Sequence, residues 1–421
     1  DSDVRAEEIT AALIISVEES RARYLDFKVG LEGRDLLGDS RRLLLTGEVQ
    51  YNDSNLFGLG QRFRPRLIAA IDTLDVLRAG ADTAQELEAA QEFAGLDYLF
   101  GAELIYNHPR FLKGWTNIDK LNLTITPFYM LDLLGVTNDQ VLREEWGLRL
   151  ELRKELFELM ERLYVSLGIE AKQAATWTTT DLRIGDERIF SPRRTTGKLS
   201  PEITLDRRDS PLNPRAGYHL QLKPQLVSGD ALTQGAEDVL GDSYLRLNFA
   251  ASAYVRIFDD VVFGQGLRFG QIIPLFGRQT LVPPDERFYL GGVGSVRGFP
   301  TNSLGPVGAR QQALGGEFLL NYNAELRYPL IKDINLYGAT FFDAGLLTDC
   351  FDTGNTRSVA NCYKNAFPDG DRLGNIRTTA GIGLRYLIVD QIPLLFDYGI
   401  VLNRKPGESF GSLHFNLGYT F

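Results

Sequence analysis

The sequence predicts an all-β fold: a 16-stranded antiparallel transmembrane β-barrel that occupies residues 21–421. Three observations support this prediction. Apolar and polar residues alternate along most of the chain, as in strands with one apolar and one polar face. Tight turns alternate with long connections in the second half, and no run of about 20 apolar residues is available to form a membrane-spanning helix.

The composition fits a barrel wall better than it fits a soluble enzyme. The 421 residues include 25 Phe, 17 Tyr and 42 Gly, but only 2 Cys and 2 Met. Aromatic residues of this kind form the girdles at the two membrane interfaces of a barrel. Asp and Glu outnumber Lys and Arg by 55 to 45, which gives a net charge of −10. A nucleic-acid-binding protein would instead carry a basic footprint, so nucleic acid is not an expected partner.

The alternation itself distinguishes a barrel from a soluble β-sandwich. In residues 245–257, Leu, Phe, Ala, Val and Ile form one face, and the other face carries Arg246, Asn248, Ser252 and Arg256. A dry core would not accommodate so many unpaired charges. A polar lumen would, so the charged face is expected to point inward and the apolar face toward lipid.

The lengths of the strands and of their connections indicate which rim of the barrel carries the short turns and which carries the long loops. We expect strands at 22–33, 43–53, 62–76, 96–107, 120–133, 143–154, 162–177, 202–208, 216–227, 243–257, 261–275, 312–328, 334–343, 376–388, 392–403 and 411–421. Tight turns are expected at 258–260, 329–333 and 389–391, and long loops at 228–242, 276–311 and 344–375. Short turns on one rim and long loops on the other are typical of outer-membrane barrels.

Two segments do not follow the strand pattern. Thr83 and Glu86 have the spacing of a capping box, which predicts a short helix over residues 83–93, a solvated helix of an outer loop in its simplest interpretation. Residues 9–19 form a strand-like run that belongs to no barrel strand. Residues 1–20 are therefore expected to be the end of a preceding domain. Because the sequence shows no signal peptide and no initial Met, we expect a mature or shortened chain.

Several motifs occur in a fixed order. The segment Arg287–Phe299 contains four glycines and ends in Val296, Arg297, Gly298 and Phe299. The other motifs lie at 55–60, 205–211, 214–217, 315–317, 323–329, 341–345 and 381–386. Together they resemble the signature loop and flanking strands of outer-membrane assembly and translocation barrels of the BamA/TamA type. Residues 10–19 are similar to the end of a polypeptide-transport-associated (POTRA) domain, which precedes the barrel in that family.

The resemblance implies that the long extracellular loop folds into the lumen and that Arg297 pairs with the wall. Glu325 and Asp343 are the expected partners, because the strand alternation places both on the lumen face of neighbouring strands. Two carboxylates so placed can satisfy one guanidinium group. The simpler alternative is that Arg297 is a solvated loop arginine. A phosphate-binding loop is disfavoured because strands, not a helix, follow the glycines.

Catalysis and metal binding find little support in the sequence, so neither an enzyme nor a cofactor is expected. His108, His219 and His414 do not have metal-ligand spacing, and His414 is expected to be a polar wall residue. Cys350 and Cys362 lie in one outer loop. In an oxidising compartment they are expected to form a disulfide, with a metal or redox role as the alternative.

Closing a barrel brings the first and last strands together, so a seam is expected between residues 24–33 and 413–421. The seam residues are Tyr24, Phe27, Gly30, Gly33, Leu413, Phe415, Gly418 and Phe421. A seam that opens would expose unpaired backbone groups to a client strand.

The resemblance then implies an insertase or translocase in the outer membrane of a Gram-negative-type bacterium. Its implied partners are unfolded outer-membrane client proteins, membrane lipids, and periplasmic accessory lipoproteins or chaperones. A passive channel or porin, a two-partner secretion pore, and a membrane anchor for a fused enzyme are the alternatives.

Overall fold

The structure is a computed structural model of the chain. It describes residues 22–34, 42–72, 98–112, 121–136, 139–156, 160, 162–178, 183–184, 187–188, 194–211, 213–229, 243–258, 260–275, 282, 286–307, 313–351, 358–368, 375–388 and 392–417. The helix expected at 83–93 and the domain end expected at 1–20 lie outside these residues.

Sixteen strands form one antiparallel sheet, and each pairs with its neighbours in chain order. They are β1 Arg23–Arg34, β2 Arg42–Leu56, β3 Gln61–Asp72, β4 Tyr98–His108, β5 Asn122–Val136, β6 Asp139–Glu155, β7 Leu163–Thr178, β10 Arg194–Asp206, β11 Gly217–Gly229, β12 Tyr244–Phe258, β13 Val261–Pro274, β14 Phe318–Ile331, β15 Leu336–Thr348, β16 Arg377–Ile388, β17 Ile392–Val401 and β18 Gly411–Leu417. A separate hairpin of two short strands, β8 Arg183–Ile184 and β9 Glu187–Arg188, lies between β7 and β10. The predicted all-β, 16-stranded fold is thus confirmed.

Strand boundaries show where the sequence pattern was insufficient. β10 begins at Arg194 rather than at 202, because Gly197 and Pro201 interrupt the apolar alternation that marks a strand. β14 begins at Phe318 rather than at 312, and β15 continues to Thr348 rather than ending at 343.

A short helix that was not predicted, α1 (Val359–Ala366), lies in the loop after β15. The side chain of Ser358 caps its N-terminus by accepting a hydrogen bond from the N–H of Asn361. Cys362 and Ala366 of the helix are buried against Phe318 and Leu346 of the sheet. Among the described residues, no helix is long and apolar enough to cross a membrane.

The two faces of the sheet differ as the alternation predicted. In β14 the polar residues Asn321, Asn323, Glu325 and Arg327 are all buried. We call the face that carries them the inner face. The opposite face exposes large apolar side chains, including those of Val255, Leu267, Ile382 and Phe396. An apolar band on one face and polar groups on the other are what a membrane-spanning barrel needs.

Candidate functional site

The candidate site is formed where residues 286–307, here called the inner loop, pack against the inner face. Phe288, Leu290, Val296, Phe299 and Leu304 of the loop are buried with apolar residues of the sheet. The loop closes on itself through a bridge between Leu290 and Leu304. Burying apolar side chains stabilises the docked position by about 25 cal/mol per Å² of apolar surface removed from water.

Glycines allow the tight path of the inner loop. Gly291, Gly292, Gly294 and Gly298 all have positive φ, between 77° and 112°, which L side chains rarely adopt. The hydroxyl of Ser295 accepts a hydrogen bond from the N–H of Gly291 at 2.9 Å, and the N–H of Gly292 donates to the carbonyl of Val296 at 3.2 Å. These contacts present Arg297 to the sheet.

Arg297 is paired with both acids expected from the sequence. Its Nε and Nη2 donate to Oδ2 and Oδ1 of Asp343 at 2.8 and 2.9 Å, and its Nη1 donates to Oε2 of Glu325 at 2.6 Å. The three side chains are at most 3% exposed. The bidentate contact with Asp343 is a strong, orientation-dependent form of ion pair.

Two further charged residues of the site were missed by the sequence reasoning. Arg385 of β16 donates to Glu325 at 2.7 Å and to Asp397 of β17 at 2.6 Å. Nη1 of Arg297 also lies 3.4 Å from Oδ2 of Asp397. Two guanidinium groups and three carboxylates therefore form one network across β14 to β17. Arg385 belongs to a family motif, but the sequence did not indicate its partners.

Neutral groups complete the surroundings of Arg297. Its guanidinium lies 3.6 Å from the centre of the Phe341 ring, a cation–π contact. Asn323 donates to the carbonyl of Ser295 at 2.5 Å and to Oδ1 of Asp343 at 2.8 Å. The charges are thus held among polar partners in a buried setting, which is the condition under which a buried ion pair is tolerated.

The other residues of the motif also contact the sheet. The N–H of Gly298 donates to Nε2 of His414 in β18 at 2.9 Å, so His414 is more than a polar wall residue. The Phe299 ring lies 4.7 Å from the guanidinium carbon of Arg377 in β16. Val296 is fully buried and packs in the apolar cluster of the loop. The inner loop therefore contacts the last strand as well as the charged network.

The disulfide between Cys350 and Cys362 is confirmed, with Cα atoms 4.0 Å apart. It joins the end of β15 to α1, and both cysteines are fully buried beside Phe318 and Leu346. Among the described residues, no group of three or more His, Cys, Asp or Glu side chains is placed to hold a metal ion.

The expected seam residues lie on the two end strands of the sheet. Tyr24, Phe27, Gly30 and Gly33 are in β1, and Leu413 and Phe415 are in β18. Gly418 and Phe421 lie outside the described residues. Between the described parts of β1 and β18 no pairing is found, and the seam between these strands stays a prediction.

Similar proteins provide an independent comparison. A segment of 160 residues is 30% identical to outer membrane protein assembly factor BamA of Neisseria meningitidis, and it covers 35% of this chain and 20% of that protein. A segment of 217 residues is 32% identical to the sorting and assembly machinery component 50 homolog of Bos taurus, and it covers 47% of this chain and 43% of that protein. The matched segments thus span less than half the length of these relatives.

Solved structures show the same fold. BamA from Haemophilus ducreyi lacking POTRA domains 1–3 matches 96% of this chain and 71% of that chain, with a TM-score of 0.67 at 17% identity. CdiB from Acinetobacter baumannii matches 94% of this chain and 66% of that chain, with a TM-score of 0.51 at 13% identity. The Omp85 superfamily domain matches residues 55–421. The docked inner loop, the sixteen-stranded sheet and this match together identify the chain as a member of the Omp85 superfamily, the outer-membrane β-barrels that include BamA.

Proposed function

We propose that this chain is an insertase or translocase that assembles β-barrel client proteins in the outer membrane through a lateral seam between β1 and β18. The observation that carries the proposal is the family membership, since segments of this chain are similar in sequence to an assembly factor and to an assembly-machinery component. A passive porin would have no reason to carry the ordered motifs of the inner loop and its docking strands.

The end strands support a seam that receives a client. An end strand that is not paired on one side offers N–H and C=O groups to an added strand, which is the physical basis of β-augmentation. Apolar side chains flank these groups: Phe27 of β1 is 70% exposed and Leu413 of β18 is 64% exposed. A client strand with alternating residues would therefore find both backbone partners and an apolar surface continuous with lipid.

The inner loop supports a link between the lumen and the seam. Through Gly298 and His414 it holds β18, and through Arg297 it holds β14, β15 and β17. A strand displaced at the seam would then disturb the docked loop. Under this proposal the partners are unfolded client barrels and outer-membrane lipids, together with periplasmic accessory lipoproteins or chaperones.

The test is a reversible lock of the seam. Cysteine pairs are introduced along β1 and β18, oxidised, and the protein is reconstituted in liposomes with an unfolded client barrel. Insertion of the client is measured by its heat-modifiable gel mobility and protease protection. We expect locked variants to lose insertion and to regain it on reduction.

A matched control locks a strand pair that is already hydrogen-bonded. Val49 of β2 and Leu67 of β3 face each other in register, and both point away from the inner face. The V49C/L67C disulfide should leave insertion unchanged. Undiminished insertion by the locked seam would rule out the lateral route. Export of a soluble polypeptide without client insertion would instead favour a two-partner secretion pore, an alternative supported by the fold shared with CdiB.

A further inference from the structure

A second ion-pair site holds the inner loop, on strands other than those that Arg297 contacts. Oε1 of Glu286 lies 2.6 Å from Nζ of Lys198 in β10 and 3.6 Å from Nζ of Lys172 in β7. Glu286 is only 3% exposed. Arg297 meanwhile contacts β14, β15 and β17. One short loop therefore joins two separate regions of the wall.

The wall is interrupted between these two regions. In the β10–β11 ladder, Leu199 pairs with Leu226 and Ile203 pairs with Leu222, but the three positions between them are not paired. By this register Pro201 lies opposite Pro224. Opposite residues at a hydrogen-bonded position of an antiparallel ladder each donate one backbone N–H to the other. Proline has no backbone N–H, so neither of these two hydrogen bonds can form between Pro201 and Pro224.

The interruption at Pro201 and Pro224 is the longest one among the described ladders. Pro65 in β3 and Pro127 in β5 each lie in a gap of only two unpaired positions. By register Pro65 faces Tyr51 and Pro127 faces Leu104, and both of these residues keep a backbone N–H. Only the β10–β11 pair, within the described strands, places two prolines opposite each other. It therefore has the longest single run of unpaired backbone among the described ladders, and few backbone bonds at that point resist a change of angle between the two strands.

Side chains replace the missing backbone bonds on the inner face alone. Gln221 donates to Glu202 at 2.7 Å, Lys223 lies 3.1 Å from Glu202, and Gln225 donates to Ser200 at 3.3 Å. These long side chains can follow a change of angle between the strands, whereas a backbone ladder cannot. On the outer face, only the two proline rings occupy this position.

The interruption lies at the midpoint of the strand order, and this places it opposite the expected seam. Eight strands, β1–β7 and β10, lie on one side of it, and eight strands, β11–β18, lie on the other. In a closed barrel of sixteen strands it is therefore opposite the junction of β1 and β18. A bend opposite the seam changes the width of the seam more than a bend at any other strand pair would.

We propose that Glu286 is a positioning residue that, through Lys198 and Lys172, clamps the inner loop across a hinge at Pro201 and Pro224. The loop then holds the two eight-strand halves at a fixed angle. Releasing Glu286 frees the hinge without breaking the network of Arg297. The use of this hinge for client entry rests on the proposed function, but the clamp can be measured without any client.

The experiment measures the distance between the two halves. Spin labels are attached at L59C, in the turn after β2, and at I334C, in the turn after β14, which are both exposed. Double electron–electron resonance is recorded on the full chain in liposomes. We expect E286Q to lengthen and broaden the distance distribution, and E286D, which keeps the charge, to stay closer to the wild-type distribution.

Two further variants separate the clamp from general destabilisation. E170Q removes a carboxylate 3.7 Å from the same lysine, Lys198, without touching the loop, and should leave the distances unchanged. P201V/P224V restores the ladder donors and should narrow the distribution again in the E286Q background. If E286Q does not fold, K198Q removes the closer of the two cations and is expected to broaden the distribution in the same way.

Wild-type distances in folded E286Q or K198Q would overturn the clamp. Broadening that P201V/P224V does not reduce would overturn the hinge. If the distances respond as expected but client insertion is absent even in the wild-type protein, the clamp stands and the proposed function fails.

Discussion

Gly298 of the inner loop and Gly399 of β17 meet backbone to backbone. A Cβ atom on Gly399 would lie 2.6 Å from the nitrogen of Gly298, and a Cβ on Gly298 would lie 3.0 Å from the carbonyl of Gly399. Neither distance leaves room for a methyl group. The absence of a side chain on both residues is thus what lets Arg297 reach its carboxylates.

G399A should displace the inner loop. Gly399 has no positive φ, so the effect would be steric and would not arise from backbone strain. We expect faster protease cleavage of the loop and altered heat-modifiable gel mobility. G197A in β10 is the matched control, because a Cβ there meets nothing within 4 Å. Equal behaviour of the two variants would show that the close approach is unimportant.

R297A should release the loop from the charged network. Removing one partner of a buried ion pair leaves the remaining charges uncompensated, at a cost of about 3–5 kcal/mol. Loop cleavage by protease and thermal denaturation of the barrel measure the effect. R297K keeps the charge but loses the bidentate contact, so we expect it to be intermediate. A variant R297A that matches the wild type in both measurements would contradict the docking role.

Removing the disulfide should loosen the outer loop around α1. The bond between Cys350 and Cys362 closes a loop of 12 positions, worth about 3 kcal/mol in the chain-entropy model. We expect no alkylation of either thiol by mass spectrometry before reduction, and faster amide exchange of α1 in C350S/C362S. Alkylated thiols in the unreduced protein would be the opposite result.

Loop 402–410 should respond to acid. Hydrogen bonds from Arg377 lower the pKa of Glu408 below its ordinary value, and the N–H of Lys405 also donates to this carboxylate. Because the unfolded loop binds the proton more tightly, this stabilisation is full above the ordinary pKa of about 4.3 and is lost as pH falls through the lowered value. Amide exchange of the loop should rise over that range. E408Q should remove the pH dependence, and a persistent response in E408Q would implicate another group.

Local pattern predicted the strands and the pairing of Arg297, but not the full site. A period of two assigns Glu325 and Asp343 to the inner face, and a resemblance supplied the loop that reaches them. The contacts of Asp397 and His414 depend on register between strands far apart in sequence, which no local signal encodes. The pairing of Glu286 with Lys198 was missed for the same reason.

The strands whose side chains contact Arg297 and Gly298 in the structure all follow the inner loop in the chain. Arg297 contacts Asp343 and Asp397, which follow it by 46 and 100 positions, and Gly298 is joined to His414 after 116 positions. Such distant contacts form only after the intervening chain has been ordered. Docking of the loop must therefore be a late event in the folding of this protein, completed once the last strand has arrived. A truncated or stalled chain would lack the contacts of Arg297 and Gly298 with these later strands, so the contacts mark a completed barrel wall.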